Sequence, residues 1–576
     1  MQLIRILAVS GLFVFSAFVQ ADWIERSNTI TMEVLNAQGE FDPESMSSYG
    51  LDQFDSAISS FDSDVREAVL AENQQQIARL QGLLKNEKDA RVQQDLQILI
   101  AALQNEIASK ELNYSLMLPY YNLPEFLFYS FRLLLDERND PARFPAALER
   151  LRKYNGQAKG YKPVAELARA RTEERFDVDG LVGPYIAELE NHLESAPRLM
   201  KGIPDMFEAA GLEDWEEDYQ LLAEQIARYQ QWLSIEVRKR TRQDSQLPAA
   251  IYANNLKNYG VNATPEELIP LAQYSYQLLR SEMKALARQI AEKRGWEQKD
   301  LVSVIKALKK EQLAPEDVLP RYQERLAAIE EIILKEDIIT MPDRPANIRL
   351  ATEAESAAIP ASFMVPPQMI NNTGQYGEFV LVQSNPALGE EARMDDFSHD
   401  AMTWALTVHE ARPGHELQFA RLVEDGTSLA RAIYAMNSAN AEGWGLYAES
   451  IMHEYLPLEG QLFNLYLRIM RAARMFLDPM VNTGQISHAE ARNFLMEQLS
   501  MSRAMASSEA ERYAFRSPGQ ATSYYYGYMS LMRLRTEVEL ALGDDFKQRQ
   551  FHDFILKQGL LPPELLREAV LDEFVR

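Results

Sequence analysis

The run His409-Glu410-Ala411-Arg412-Pro413-Gly414-His415 brings two imidazoles and a carboxylate into one short window, and Ala441-Glu442-Gly443-Trp444 follows. Imidazole nitrogens bind divalent metals, a carboxylate beside the first can act on a metal-activated water, and a later glutamate can complete the ligand set. Seven histidines occur in 576 residues, so finding two of them in this window points to a metal site rather than to scattered structural rings. Two histidines and one carboxylate leave a coordination position open for water, the pattern of a catalytic rather than a structural zinc. His409, His415 and Glu442 are therefore the expected ligands, Zn2+ the expected ion and Glu410 the expected general base.

The spacing adds a structural demand. In the usual H-E-x-x-H arrangement the histidines are about one helical turn apart and share a face. Here six residues separate them, roughly 240° of rotation on a regular helix. Pro413 cannot donate a helical hydrogen bond and clashes with the carbonyl four residues earlier, that of His409. Gly414 tolerates whatever dihedral follows. The expectation is a helix bulged at Arg412–Gly414, two residues looped out so that His415 swings back beside His409, with Arg412 pointing toward the cleft. His399 and His453 stand as reserve ligands. Glu449, seven residues after Glu442, shares its helix face and either orients a ligand or sits in solvent. Gln418 is placed to orient a ligand by hydrogen bonding.

Three segments, His409–Gln418 (HEARPGHELQ), Ala441–Glu449 (AEGWGLYAE) and Pro518–Gly527 (PGQATSYYYG), resemble the signature blocks of the domain of unknown function 885 family, which is grouped with gluzincin metallopeptidases. The resemblance extends to Leu123-Pro124-Glu125-Phe126 and Phe551-His552-Asp553-Phe554, and the family motif has the same six-residue histidine spacing. It implies a zinc-dependent, peptidase-like site on an elongated, mainly α-helical zincin fold like that of thimet oligopeptidase, neurolysin and angiotensin-converting enzyme. Alignment with the family block makes Tyr524 the first choice, and Tyr528 the second, for a phenol that stabilises an oxyanion. Arg533 and Arg535 are candidates for pairing with a substrate carboxylate, in carboxypeptidase-like action. By analogy with enclosed helical relatives, short peptides are the expected substrates. Hydrolysis of a non-peptide amide or ester, and a non-catalytic exported binding protein that keeps the fold, are the alternatives; retention of Glu410 counts against the second.

Composition excludes other classes. A formal net charge of −26 is unsuited to nucleic acid, whose phosphates need clustered Lys and Arg. At 46% hydrophobic and 25% charged residues, the chain can bury an ample core, and it says nothing about the number of chains in an assembly. Residues 1–21 read as an export signal: Arg5 precedes an apolar stretch from Ile6 to Val19, and Val19-Gln20-Ala21 resembles a cleavage site. The run is short for a membrane span. With no cysteine there is neither a disulfide nor a thiol to carry a lipid. A soluble exported protein starting near Asp22, periplasmic in a Gram-negative source, is expected, with an uncleaved anchor as the alternative.

Residues 22–336 read as a helical region, and 337–576 as the catalytic region of one continuous fold. Asp64 to Leu112 carries apolar residues at three- and four-residue steps, the pattern of a helical hairpin turning near Asn86-Glu87-Lys88. Thr264, Pro265 and Glu267 make a capping-box start. Gly377–Val382 looks like a strand of a small sheet beside the metal helix. An extended peptide could add to a sheet edge, a role assigned to Phe379–Val382, with Phe379 and Val380 as substrate contacts.

Overall fold

Apolar residues at helical spacing set most of the architecture. In the computed structural model, which describes residues 23–351, 362–372, 374–382 and 394–576, the predicted hairpin is α1 (Val65–Leu84) and α2 (Ala90–Leu116), turning at 85–89. Leu80 of α1 and Val92, Leu96, Leu99 and Leu103 of α2 are buried together. The 30-residue α3 (Pro265–Arg294) begins at the predicted capping box and ends at Gly295 in the left-handed conformation. At 1.5 Å per residue it is about 45 Å long, a spine for the second half of the chain. Helix α4 (Pro315–Lys335) follows. The export-signal reading falls on residues outside those described. Among the described residues no helix is long and apolar enough to cross a membrane.

A three-stranded sheet follows: β1 (Asn347–Leu350), β2 (Phe363–Val365) and β3 (Glu378–Leu381), in the order β1-β3-β2. β3 pairs parallel with β1 and antiparallel with β2, with Phe379 opposite both Ile348 and Met364. This corrects the edge-strand expectation. β3 is the central strand; Phe379 and Val380 are fully buried, and the Phe379 ring packs edge-on against Tyr322 of α4. Neither residue has a free backbone edge or an exposed side chain to offer a peptide. The edges are β1 and β2, and β2, three residues between Pro360 and Pro366, is too short to show a period-two pattern.

Helices α5 (Asp400–Glu410), α6 (His415–Glu424), α7 (Ser438–Met452), α8 (Leu458–Asn482), α9 (Arg503–Glu511) and α10 (Gln520–Leu542) build the rest of the site region. The expected fold class holds: mainly α, with a small sheet that joins α5 in one core. Helix α8 lies in the middle of this core and is buried nearly all round. Its buried stripe Asn464, Arg468, Arg471, Arg474, Asp478 and Asn482 recurs at steps of three or four, placing six polar side chains along one face. Buried polar groups need partners, so this stripe marks where α8 meets something other than hydrocarbon.

Candidate metal centre

The two histidines meet through a complete break rather than a bulge. α5 ends at Glu410, residues 411–414 form a turn, and α6 starts at His415. A side chain on Gly414 would put its Cβ 1.9 Å from the carbonyl oxygen of His409 and 2.4 Å from that of Val408, so only glycine lets the chain double back so closely. The turn is held by Trp444, whose indole N–H donates to the Pro413 carbonyl at 2.9 Å. Arg412 does not enter the cleft, contrary to expectation. Its guanidinium is buried against Glu330 and Glu416, at 2.7 and 2.8 Å, because the tight turn directs it back toward α4.

As a result the two imidazole rings lie 4.8 Å apart, nearly perpendicular. Glu442 Oε2 is 3.6 Å from His409 Nε2 and 3.3 Å from His415 Nε2, and the three candidate ligand atoms all fall within 4.8 Å of one another. Tetrahedral bonds of about 2.1 Å space ligand atoms roughly 3.4 Å apart, so the set fits a zinc-sized ion. Each ring's other nitrogen is held from behind. His409 Nδ1 lies 2.7 Å from Glu449 Oε1, and His415 Nδ1 lies 3.2 Å from Gln418 Oε1. Gln418 in turn donates to Asn440, which donates to the Leu561 carbonyl. Such outer partners fix the tautomer and would aim Nε2 at an ion held there. Glu449 is fully buried, not solvated. His399 and His453 lie outside the cluster: the first packs on Phe463, the second bonds Asn464.

The glycines of Glu442-Gly443-Trp444-Gly445 have steric reasons. A Cβ at Gly445 would lie 2.6 Å from His409 Cε1, and one at Gly443 would lie 2.6 Å from the backbone of Gly527 on α10. The helix carrying Glu442 therefore touches both His409 and the helix carrying Tyr524.

Electrostatics bind the cluster together. Burial works against an imidazolium at His409, but Glu442 and Glu449 override it and raise the ring to about 9. Burial would raise Glu442; hydrogen bonds from the two histidines outweigh it and hold the carboxyl well below its usual range. A metal ion would displace that proton. Burial raises Glu410, with His409 and His415 only partly offsetting it.

The cleft has a volume of about 420 Å³ and is lined by the three candidate ligands, Glu410, Tyr524, Phe363 and Met364 of β2, and Arg471, Arg474 and Arg512. The Tyr524 hydroxyl accepts from Arg512 at 2.8 Å, so its own proton is free for another acceptor; burial, the largest influence, raises its pKa and keeps it a phenol. Tyr528 is elsewhere: it packs on Tyr525, with its hydroxyl 3.3 Å from Ser450. One helical turn from Tyr524 carries it past the cleft wall. Arg533 is corrected too, its side chain being 76% exposed and paired with Glu537. Arg535 pairs with Glu539 and Tyr447. The arginines of the cleft come from α8 and the segment after α9. The signal that could have found the first two was the polar stripe in an otherwise apolar helix.

Two solved structures share the fold over nearly the whole chain. One from Shewanella oneidensis has a TM-score of 0.74 at 18% identity, covering 95% of this chain and 99% of that one. One from Colwellia psychrerythraea has a TM-score of 0.73 at 16% identity, covering 96% and 99%. Both are described as "putative" lipoproteins, the first "of unknown function", and at this identity they speak for the fold alone. A structure from Bacillus anthracis described as a "putative oligoendopeptidase F" is 12% identical over 87% of this chain and 92% of that one, with a TM-score of only 0.26. No curated protein sequence matches. The model of a family described as "Bacterial protein of unknown function (DUF885)" matches residues 43–570, and the chain belongs to that family.

Proposed function

We propose that this protein is a zinc-dependent peptidase that hydrolyses short peptides, with His409, His415 and Glu442 holding the ion. The observation that supports this most is the convergence of those three ligand atoms beside Glu410, whose carboxylate has no hydrogen bond or ion pair among the described residues. A divalent ion bound there would supply Lewis acidity toward a carbonyl and would acidify water.

The chain's own residues do the rest. Glu410, made more basic by burial, accepts a proton from the attacking water and delivers it to the nitrogen as the C–N bond breaks. Water's hydroxyl stays on the acyl carbon and its proton leaves on the amine. Tyr524 donates its phenolic hydrogen bond to the carbonyl oxygen as negative charge develops there. β2 lines the cleft and is an edge of the sheet among the described residues, so an extended peptide can add to it by backbone hydrogen bonds. That edge favours a peptide over a small ester. Residues 1–21, read as an export signal, would place this activity outside the cytoplasm.

The test is metal analysis of the purified mature protein, followed by mass-spectrometric digestion of a peptide library. About one zinc per chain and discrete cleavage products are expected. A zinc-loaded protein that cleaves no peptide would favour the non-peptide or binding reading.

A further inference from the structure

Two arginines of the polar stripe of α8, Arg468 and Arg471, have no carboxylate within ion-pair distance among the described residues; Arg468 is held by Ser450 and Asn464 away from the cleft lining, and only Arg471 reaches the cleft. Arg474 is used up by Glu509 in a two-pronged pair, both bonds at 2.7 Å. Asp478 accepts from Tyr252 and from the Gly519 amide, and Asn482 bonds Asp478 and the Tyr513 carbonyl. Arg512 is engaged by Gln520 and Tyr524 and lies 3.6 Å from Glu509. Among the described residues Arg471 makes a single bond, 3.3 Å to the Leu467 carbonyl one turn back. Its Nε is buried with no partner, and among the described residues no carboxylate lies within ion-pair distance, Glu449 and Glu442 attracting it only from further away. Yet the residue is only 6% exposed and lines the metal cleft. Its guanidinium is 6.0 Å from the ring of Tyr524.

A buried cation with no carboxylate in contact keeps much of its desolvation cost, more than the distant Glu449 and Glu442 return. A guanidinium with unused N–H groups matches a carboxylate in geometry and charge. Resting on the peptidase reading above, we propose that Arg471 binds the C-terminal carboxylate of the substrate, so that short peptides are cleaved from their C-terminal end. The ligand's charge completes the stripe, and the free chain end, rather than an internal segment, is drawn into the cleft that holds Glu410 and Tyr524. Internal peptide segments and C-terminal amides lack the group Arg471 awaits.

The experiment is calorimetric titration of full-length Glu410→Gln protein with one tetrapeptide as free acid, as C-terminal amide, and as an amide ending in aspartate. Binding is read without turnover, so the result stands whether or not peptides are hydrolysed. The free acid should bind about 10- to 100-fold more tightly than the plain amide, the range of a hydrogen-bonded charge. Adding Arg471→Met should erase that difference while leaving the melting temperature equal or higher. Arg471→Lys should keep part of the preference. Equal binding of acid and amide to the Arg471 protein, or a preference that survives Arg471→Met, overturns the proposal. Equal binding of the aspartyl amide and the free acid overturns the C-terminal assignment. An Arg471→Met chain that fails to fold also overturns it, since Arg471 would then be a structural group. An intact acid preference without hydrolysis of any peptide would instead sink the peptidase reading alone.

Discussion

Gly445→Ala tests how the site is assembled, at a position that touches neither water nor substrate in the proposed reaction. The new Cβ would lie 2.6 Å from His409 Cε1, 2.9 Å from Nδ1 and 3.0 Å from Nε2. Carbon atoms pack at about 3.5–4.0 Å, so ring or helix must give way by about 1 Å. Neither moves freely: Gly443, two residues earlier, is wedged against Gly527, and His409 is fixed by the 2.7 Å contact to Glu449. A shift of that size would stretch the Glu449 contact beyond hydrogen-bond range and displace Nε2 by several times the roughly 0.2 Å tolerance of a metal–ligand bond. Metal affinity should fall by at least the 10- to 100-fold seen when outer partners are lost, and overpacking should cost about 1–3 kcal/mol of stability. Competition titration with a chelating dye and urea unfolding of the metal-free protein read the two effects separately. Gly82→Ala is the control: a Cβ there meets nothing within 4 Å, and alanine favours a helix. Wild-type metal affinity in Gly445→Ala would refute the placement of His409 in the cluster.

Other perturbations bear on different parts of the account. Glu449→Gln should fold but bind metal about 10- to 100-fold more weakly in the same titration, having lost the carboxylate behind His409. Tyr524→Phe should keep metal content and KM while kcat falls about 10²–10³-fold, since the phenol matters once charge develops. Burial opposes ionisation of Glu509, but Arg474 and Arg512 outweigh it and bring the carboxyl from 4.5 down to about 2. A depressed carboxyl contributes stability above the unfolded value and loses it as pH falls through the folded one. Glu509→Gln should therefore cost about 3 kcal/mol near neutrality, a gap that narrows from pH 4.5 toward pH 2 in urea midpoints; a gap independent of pH would refute the pairing.

How legible the molecule was in its sequence depended on how local the signal was. The capping box that starts Pro265–Arg294 and the apolar spacing of the hairpin Val65–Leu84 and Ala90–Leu116 could be read because such signals act within a few residues. Pro413 and Gly414 announced an interruption, and the motif brought His409, His415 and Glu442 together on paper as they are in space. Its completeness as a break was set by contacts from distant residues, Trp444 and Glu330. The edge-strand role went to the wrong segment because Phe379–Leu381, apolar and β-forming, is what a central strand looks like, while the three residues of β2 carry too little pattern. Arg533 and Arg535 attracted attention beside the tyrosine block, yet both lie outside the cleft. Arg471 and Arg474 sit in an apolar helix outside the motif segments, and only tertiary packing turns that helix's polar face toward the candidate metal centre.

The most direct test of the central claim compares wild type with Glu410→Gln at equal zinc content on one cleaved peptide. The substitution preserves shape and removes the base, so the account predicts the same melting curve and metal stoichiometry with kcat/KM lowered about 10²–10⁴-fold. Equal hydrolysis by the two proteins would contradict it, whatever the metal analysis gave.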